Sequence, residues 1–128
     1  MVLRKEIRVL VVDDMSVSRQ ILLQMLEVIG INHVRTAGDG QMACASLSAE
    51  PAELVIADLN MPGMDGLQLL QKLRCDRRHC EVGFVMTSGD ETDPRIADAK
   101  RLGMNLFLPK PFNINKLVKC LEVAAGRL

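Results

Sequence analysis

The chain has 128 residues, 48% hydrophobic and 25% charged, the profile of one ordinary globular domain with a sizeable core. Sixteen basic residues balance sixteen acidic ones, so no net field draws it toward nucleic acid or an anionic membrane. No apolar stretch approaches a membrane span and no charged-then-apolar leader opens the sequence, so a cytoplasmic location is expected.

The first apolar run, Ile7–Val12, is nearly continuous and reads as a strand covered on both faces. It ends on Asp13-Asp14. Val17, Ile21, Met25 and Ile29 then step by four, with Leu22 and Leu26 widening the stripe, which predicts a helix stopped at Gly30. His33–Ala37 is more polar and suits an edge strand, and Met42, Ala45 and Leu47 predict a weaker second helix. Leu54–Ala57 is again continuous in apolar residues and delivers Asp58 to a loop of Asn, Pro and Gly. Asp65 can cap a third helix, with Leu67, Leu70 and Leu73 on one face. Val82–Met86 is the fourth strand and runs into Thr87-Ser88-Gly89. Asp93-Pro94 sets a cap before a proline at the first helical position, and Gly103 ends that fourth helix. Met104–Leu108 is the last strand and leads through Pro109 to Lys110-Pro111-Phe112. Asn113 can cap a fifth helix, striped by Ile114, Leu117, Val118 and Leu121.

Strand and helix alternate five times, which predicts a single α/β domain over residues 1–128: a doubly wound parallel sheet with right-handed crossovers. Cys44, Cys75, Cys80 and Cys120 form no C-x-x-C pair, and His79-Cys80 with Cys75 lacks the second half of a zinc site. They read as reduced thiols. In such a sheet the functional site forms at the carboxyl ends of the central strands. The polar residues delivered there are Asp13-Asp14, Asp58, Thr87-Ser88-Gly89 and Lys110.

Carboxylates converging on one pocket repel one another and need a compensating charge. A magnesium ion supplies it, since it binds through few carboxylates, keeps several waters and serves phosphate chemistry. Lys110 adds a mobile positive charge and Thr87 a hydroxyl donor, a set suited to three phosphoryl oxygens. Aspartate serves elsewhere as a nucleophile forming an acyl phosphate. Asp58, alone at a rigid strand tip, suits that role while Asp13 and Asp14 hold the metal. Taken singly, each motif has a plainer meaning: a helix cap, a turn, a surface lysine before proline. Their placement at successive strand ends joins them into one site.

With Val9-Leu10-Val11-Val12-Asp13-Asp14, Asp58-Leu59-Asn60-Met61-Pro62-Gly63-Met64-Asp65-Gly66, Thr87-Ser88 and Lys110-Pro111-Phe112, the sequence resembles a response-regulator receiver domain, along essentially its whole length. It is most similar to the single-domain CheY-type chemotaxis regulators. The resemblance implies a flavodoxin-like sheet in the order 2-1-3-4-5, phosphorylation on Asp58, and Mg²⁺ bound by Asp13, Asp58 and the Asn60 carbonyl, with Asp14 acting through water. It further implies that Thr87 and Lys110 contact the phosphoryl group, that the Lys110–Pro111 peptide is cis, and that Thr87 and Phe107 switch together. Phe107 stands where the family carries Tyr or Phe, so no ring hydroxyl holds either rotamer. Dephosphorylation tuning falls on Asn60 and Gly89; glycine can neither orient a water nor block one.

The resemblance therefore leads to the expectation of a signalling switch rather than an enzyme acting on other molecules, its catalysis confined to its own phosphoryl transfer and autodephosphorylation. A histidine kinase of the chemotaxis type would supply the phosphoryl group. A flagellar motor switch protein, or another phosphorylation-dependent target, would bind the face of helix four, strand five and helix five. With no output domain after Leu128, the output would be protein binding by a monomer. A phosphorelay intermediate or phosphate sink uses the same chemistry. An aspartyl-phosphate phosphatase of the haloacid-dehalogenase kind needs a second acid two residues after the nucleophile, where Asn60 stands. A flavodoxin-like nucleotide binder would need glycine and free amides where Asp13-Asp14-Met15-Ser16 offers acid.

Overall fold

A computed structural model describes residues 6–125, so the outermost ends of the expected 1–128 domain lie outside the described residues. The strands are β1 (Arg8–Val12), β2 (His33–Ala37), β3 (Leu54–Asp58), β4 (Gly83–Ser88) and β5 (Leu106–Pro109). Between and after them run α1 (Ser16–Ile29), α2 (Gly40–Ala49), α3 (Gly66–Arg74), α4 (Arg95–Arg101) and α5 (Ile114–Ala125). All neighbouring strands pair parallel, in the order β2-β1-β3-β4-β5. None of the helices is long and apolar enough to cross a membrane, among the described residues.

The continuous apolar runs become the central strands because both of their faces are covered. On one face Leu10, Val12, Val55, Ala57, Phe84 and Met86 pack with residues of α2, α3 and α4. On the other, Val9, Val11, Leu54, Ile56 and Val85 pack with α1 and α5. Every residue of β3 and β4 is buried, whereas β2, at the sheet edge, buries only Ala37 fully. β5 divides between the layers: Leu106 and Leu108 join the α1/α5 side and Phe107 the opposite side.

The helix boundaries follow local chemistry. Gly30 ends α1 in the left-handed region (φ 97°), where its N–H caps the Leu26 and Glu27 carbonyls. Asp65 and Gln68 form a reciprocal capping box at α3. Asn113 accepts a hydrogen bond from the Lys116 N–H, as a cap for α5 should.

Some sequence expectations are corrected. Val17 and Ile21 are 68% and 49% exposed, and the buried residues of α1 are Leu22 and Leu26. A step of four overshoots a full turn by about 40°, so three steps carry such a row about 120° round the helix. In α2 the buried positions are Gly40, Ala43 and Leu47, each about one turn from the next, while Met42 and Ala45 face out. Pro94, not Asp93, is the cap residue of α4, although the Asp93 carboxylate accepts from the Arg95 N–H. β4 runs on past Met86 through Thr87 and Ser88, since ladder bonding satisfies a polar strand end as well as an apolar one. β5 starts later than expected because the Asn105 side chain, in place of a strand residue, accepts the Phe84 N–H at 2.8 Å.

Candidate functional site

The sheet register assembles the site. Val12 lies beside Ala57, so the next residues of the two strands, Asp13 and Asp58, emerge together. Asp58 lies beside Thr87, and Pro109 beside Ser88. Backbone bonds carry the ladders one step further: Asp13 N–H to the Ala37 carbonyl at 3.1 Å, Leu59 N–H to Thr87 at 2.9 Å, and Lys110 N–H to Ser88 at 2.8 Å. Asp13, Asp58, Thr87 and Lys110 therefore hang from the sheet and its extensions, whereas Asp14 and Asn60 lie in the loops that follow β1 and β3.

Asp13 and Asp58 are buried, at 5% and 7% exposure, and Asp14 is exposed. One carboxylate oxygen from each of the three lies within 4.8 Å of the others. The Lys110 ammonium donates to Asp58 Oδ2 at 3.0 Å and to Asp13 Oδ2 at 3.5 Å. Burial disfavours the charge on Lys110, but hydrogen bonding and attraction from Asp58 and Asp13 outweigh it and hold the pKa above the ordinary lysine value. One ammonium against three carboxylates leaves negative charge uncompensated, and these oxygens are the donors a hard divalent cation takes. The residues present thus fit magnesium.

The other oxygens of Asp58 and Asp13 are held by backbone. Asp58 Oδ1 accepts from the Asn60 N–H at 3.1 Å, and Asp13 Oδ1 from the Met15 N–H at 3.0 Å. Thr87 is buried beside Asp58, and the Lys110–Pro111 peptide is cis. Phe107 is half-buried on the α2/α3/α4 side. A cavity of about 430 Å³ opens next to the acid cluster, with Ile21, Leu22, Met25 and Phe112 as its apolar wall and Asp13 and Lys110 at its polar end.

Several residues of the site carry no signal in the sequence. Ser18 Oγ lies 3.4 Å from the Lys110 ammonium, and Arg19 donates to the Asp13 carbonyl at 2.6 Å. Both stand one turn into α1, where the pattern singles out only apolar positions. Gly66 sits against the back of β3: a Cβ there would stand 2.6 Å from the Asp58 carbonyl oxygen and 2.9 Å from Leu59 Cα. Gly89, by contrast, looks into open space, with nothing within 4 Å of where its Cβ would be. Arg95 reaches back from α4 to Asn60, and its position directly after Asp93-Pro94 is the only sign in the sequence of a charged network.

A sequence model of the family described as "Response regulator receiver domain" matches residues 9–122. The chain belongs to this family. This receiver domain is 34% identical over 128 residues to the "Probable chemotaxis protein CheY" of Rhizobium etli, covering 100% of this chain and 99% of that protein. It is 32% identical to the "Chemotaxis protein CheY-3" of Vibrio cholerae, with 99% and 98% covered. The solved Vibrio cholerae chemotaxis protein CheY4 superposes with a TM-score of 0.84 at 31% identity, covering 93% of this chain and 98% of that one. The receiver domain of the Pseudomonas aeruginosa sensor histidine kinase PA1611, solved with a magnesium ion in its active-site cleft, shares the fold. Its TM-score is 0.85 at 23% identity, with 94% of this chain and 98% of that chain covered. The protein is a response regulator module, and its sheet has the order that the family resemblance implied.

Proposed function

We propose that this receiver domain is a chemotaxis-type phosphorylation switch, loaded on Asp58 by a histidine kinase. The observation that carries the reading is Asp58 itself. A carboxylate at the tip of a fully buried strand, 3.0 Å from an ammonium and inside an acid cluster, is a poor structural choice and a good phosphoryl acceptor. In the transfer, a carboxylate oxygen of Asp58 bonds to phosphorus as the donor's phosphorus–nitrogen bond breaks, and the electron pair leaves with the imidazole.

Asp13, Asp58 and the Asn60 carbonyl, with Asp14 through water, would hold Mg²⁺, which when bound neutralises charge on the phosphoryl oxygens. Lys110, already paired with Asp58, then turns to the new dianion, which carries about −1.5 to −2 charges. Thr87 offers its hydroxyl to the same group, and space vacated on that side is available to Phe107. Lys110 and Phe107 belong to one short segment, so the pull on the phosphoryl site moves the face made by α4, β5 and α5. The output is binding of a flagellar motor switch protein by a cytoplasmic monomer, and the only reaction catalysed is the domain's own phosphoryl transfer and its reversal.

The test is the affinity for a motor-switch peptide with and without a beryllofluoride phosphoryl mimic. For the native protein the mimic should raise affinity at least about tenfold, within the usual range of allosteric coupling. Lys110→Ala and Thr87→Ala should bind peptide with no more than about a twofold gain, because a ligand shifts an equilibrium only through its differential contacts. No gain in the native protein would point to a phosphate sink; a full gain in both variants would refute the switching route.

A further inference from the structure

Arg95, at the start of α4, is the most heavily bonded side chain on the rim of the site. Its guanidinium takes the Asp93 carboxylate at 2.7 Å, the Asp65 carboxylate at 3.1 Å and the Asn60 side-chain oxygen at 2.5 Å. One residue thus ties the loop after β3 to the start of α4. The fork geometry matters, since a planar guanidinium holds several acceptors at once, in fixed directions, and has no acceptor of its own.

That last property decides how Asn60 is presented. An amide side chain has one acceptor, its oxygen, and two N–H donors. Because Arg95 can only donate, it must meet the oxygen of Asn60, which leaves the donors for other neighbours. The backbone N–H of the same residue rests on Asp58 Oδ1, so Asn60 borders the oxygen that Lys110 does not cover. Asp65 is in turn fixed by the capping box of α3, which gives the arrangement a rigid anchor.

We propose that Arg95 is a positioning residue that lengthens the life of the phosphorylated state by withholding the Asn60 oxygen from water. The inference rests on the reading that Asp58 is the acceptor. Hydrolysis has a water oxygen bond to phosphorus while the phosphorus–oxygen bond to Asp58 breaks, its electron pair returning to the carboxylate. The water must lose a proton, finally to bulk solvent, and it is oriented by whatever accepts its hydrogen bond. An Asn60 that offers only N–H donors cannot do this. Freed from Arg95, its oxygen can.

The experiment uses acetyl phosphate with Mg²⁺ to load the native chain, Arg95→Ala, Asn60→Ala and the double variant, then removes the donor and follows decay of the label. Arg95→Ala should decay about three- to tenfold faster than the native chain, less than a true general base would contribute because an amide only orients. In the Asn60→Ala background the same substitution should change decay by less than about 1.5-fold, since the two residues act through one contact. A decay at the native rate or slower in Arg95→Ala overturns the inference. So does equal acceleration in both backgrounds, which would mark Arg95 as a general clip between loops. If Arg95→Ala does not fold, Arg95→Lys carries the test, because one ammonium cannot hold three acceptors in the fork geometry; its decay should rise about two- to threefold, and no rise overturns the inference. A native chain that takes no label overturns the reading of Asp58 as well, whereas label that forms normally and decays unchanged overturns the role of Arg95 alone.

Discussion

Asp58→Asn protein should take up no phosphoryl group from acetyl phosphate and Mg²⁺, while the native chain takes one, as read by intact mass under non-acidic, rapid conditions. Three carboxylates share the pocket, so the selectivity needs an argument. Asp13 has one oxygen tied to the Met15 N–H and shares the other with Lys110, and its backbone is pinned to β2. Asp14 is exposed, with neither the ammonium nor the buried strand behind it. Asp58 alone combines a rigid strand tip, direct pairing with Lys110 and Thr87 on the adjoining strand. Asparagine keeps the shape and one acceptor but loses the anionic nucleophile, so the fold should survive and the transfer should not. Full labelling of the Asn variant would overturn the assignment of Asp58.

Gly66→Ala should be the most damaging single methyl group added near the site. Its Cβ would press on the Asp58 carbonyl oxygen at 2.6 Å and on Leu59 Cα at 2.9 Å, and both are backbone, which cannot rotate aside. Either α3 moves out, losing packing of Leu69, Leu70 and Leu73, or β3 moves and takes the acceptor with it. Overpacking of this kind costs about 1–3 kcal/mol. That should lower the unfolding midpoint by several degrees, at about 3–5 °C per kcal/mol for a domain of this size. Misplacing a reacting group by a fraction of an ångström also costs rate, so acetyl-phosphate labelling should slow by about tenfold or more. Gly89→Ala, where the added methyl meets nothing, is the matched control and should stay within about 0.5 kcal/mol of the native stability. Equal midpoints and labelling rates for the two variants would refute the packing argument.

The sequence disclosed the strands and the acid cluster for the same reason: a strand buried on both faces has to be apolar throughout, so the residue where polarity begins marks its tip. Val12 to Asp13 and Ala57 to Asp58 are such steps. The signal fails where polarity and burial part company. Thr87 and Ser88 are polar yet lie inside β4, because the ladder satisfies their backbone and the sheet covers them. Helix faces were harder to read. In α1 the apolar residues outnumber the buried ones, and Val17 and Ile21 remain exposed, Ile21 as part of the cavity wall beside Lys110. In α2 the facing residue is an alanine, Ala43, too small to stand out in a pattern. The second layer of the site stayed hidden for another reason. Ser18 and Arg95 act through contacts 92 and 35 residues away in the chain, and Arg19 through the backbone carbonyl of Asp13 six residues before it, and hydrophobic periodicity records none of these.

The open space at Gly89 has a practical consequence. Glycine there has no left-handed backbone to preserve and no neighbour within 4 Å of an added Cβ, so substitution at this position should cost folding little. It follows the buried end of β4 directly and is itself exposed, two residues after Thr87. A designer wanting a biosensor with a chosen memory time could therefore vary this codon alone. By the resemblance to other receiver domains, side chains of different size and polarity there are expected to change the lifetime of the label, with an unchanged unfolding midpoint as the check that the fold is kept.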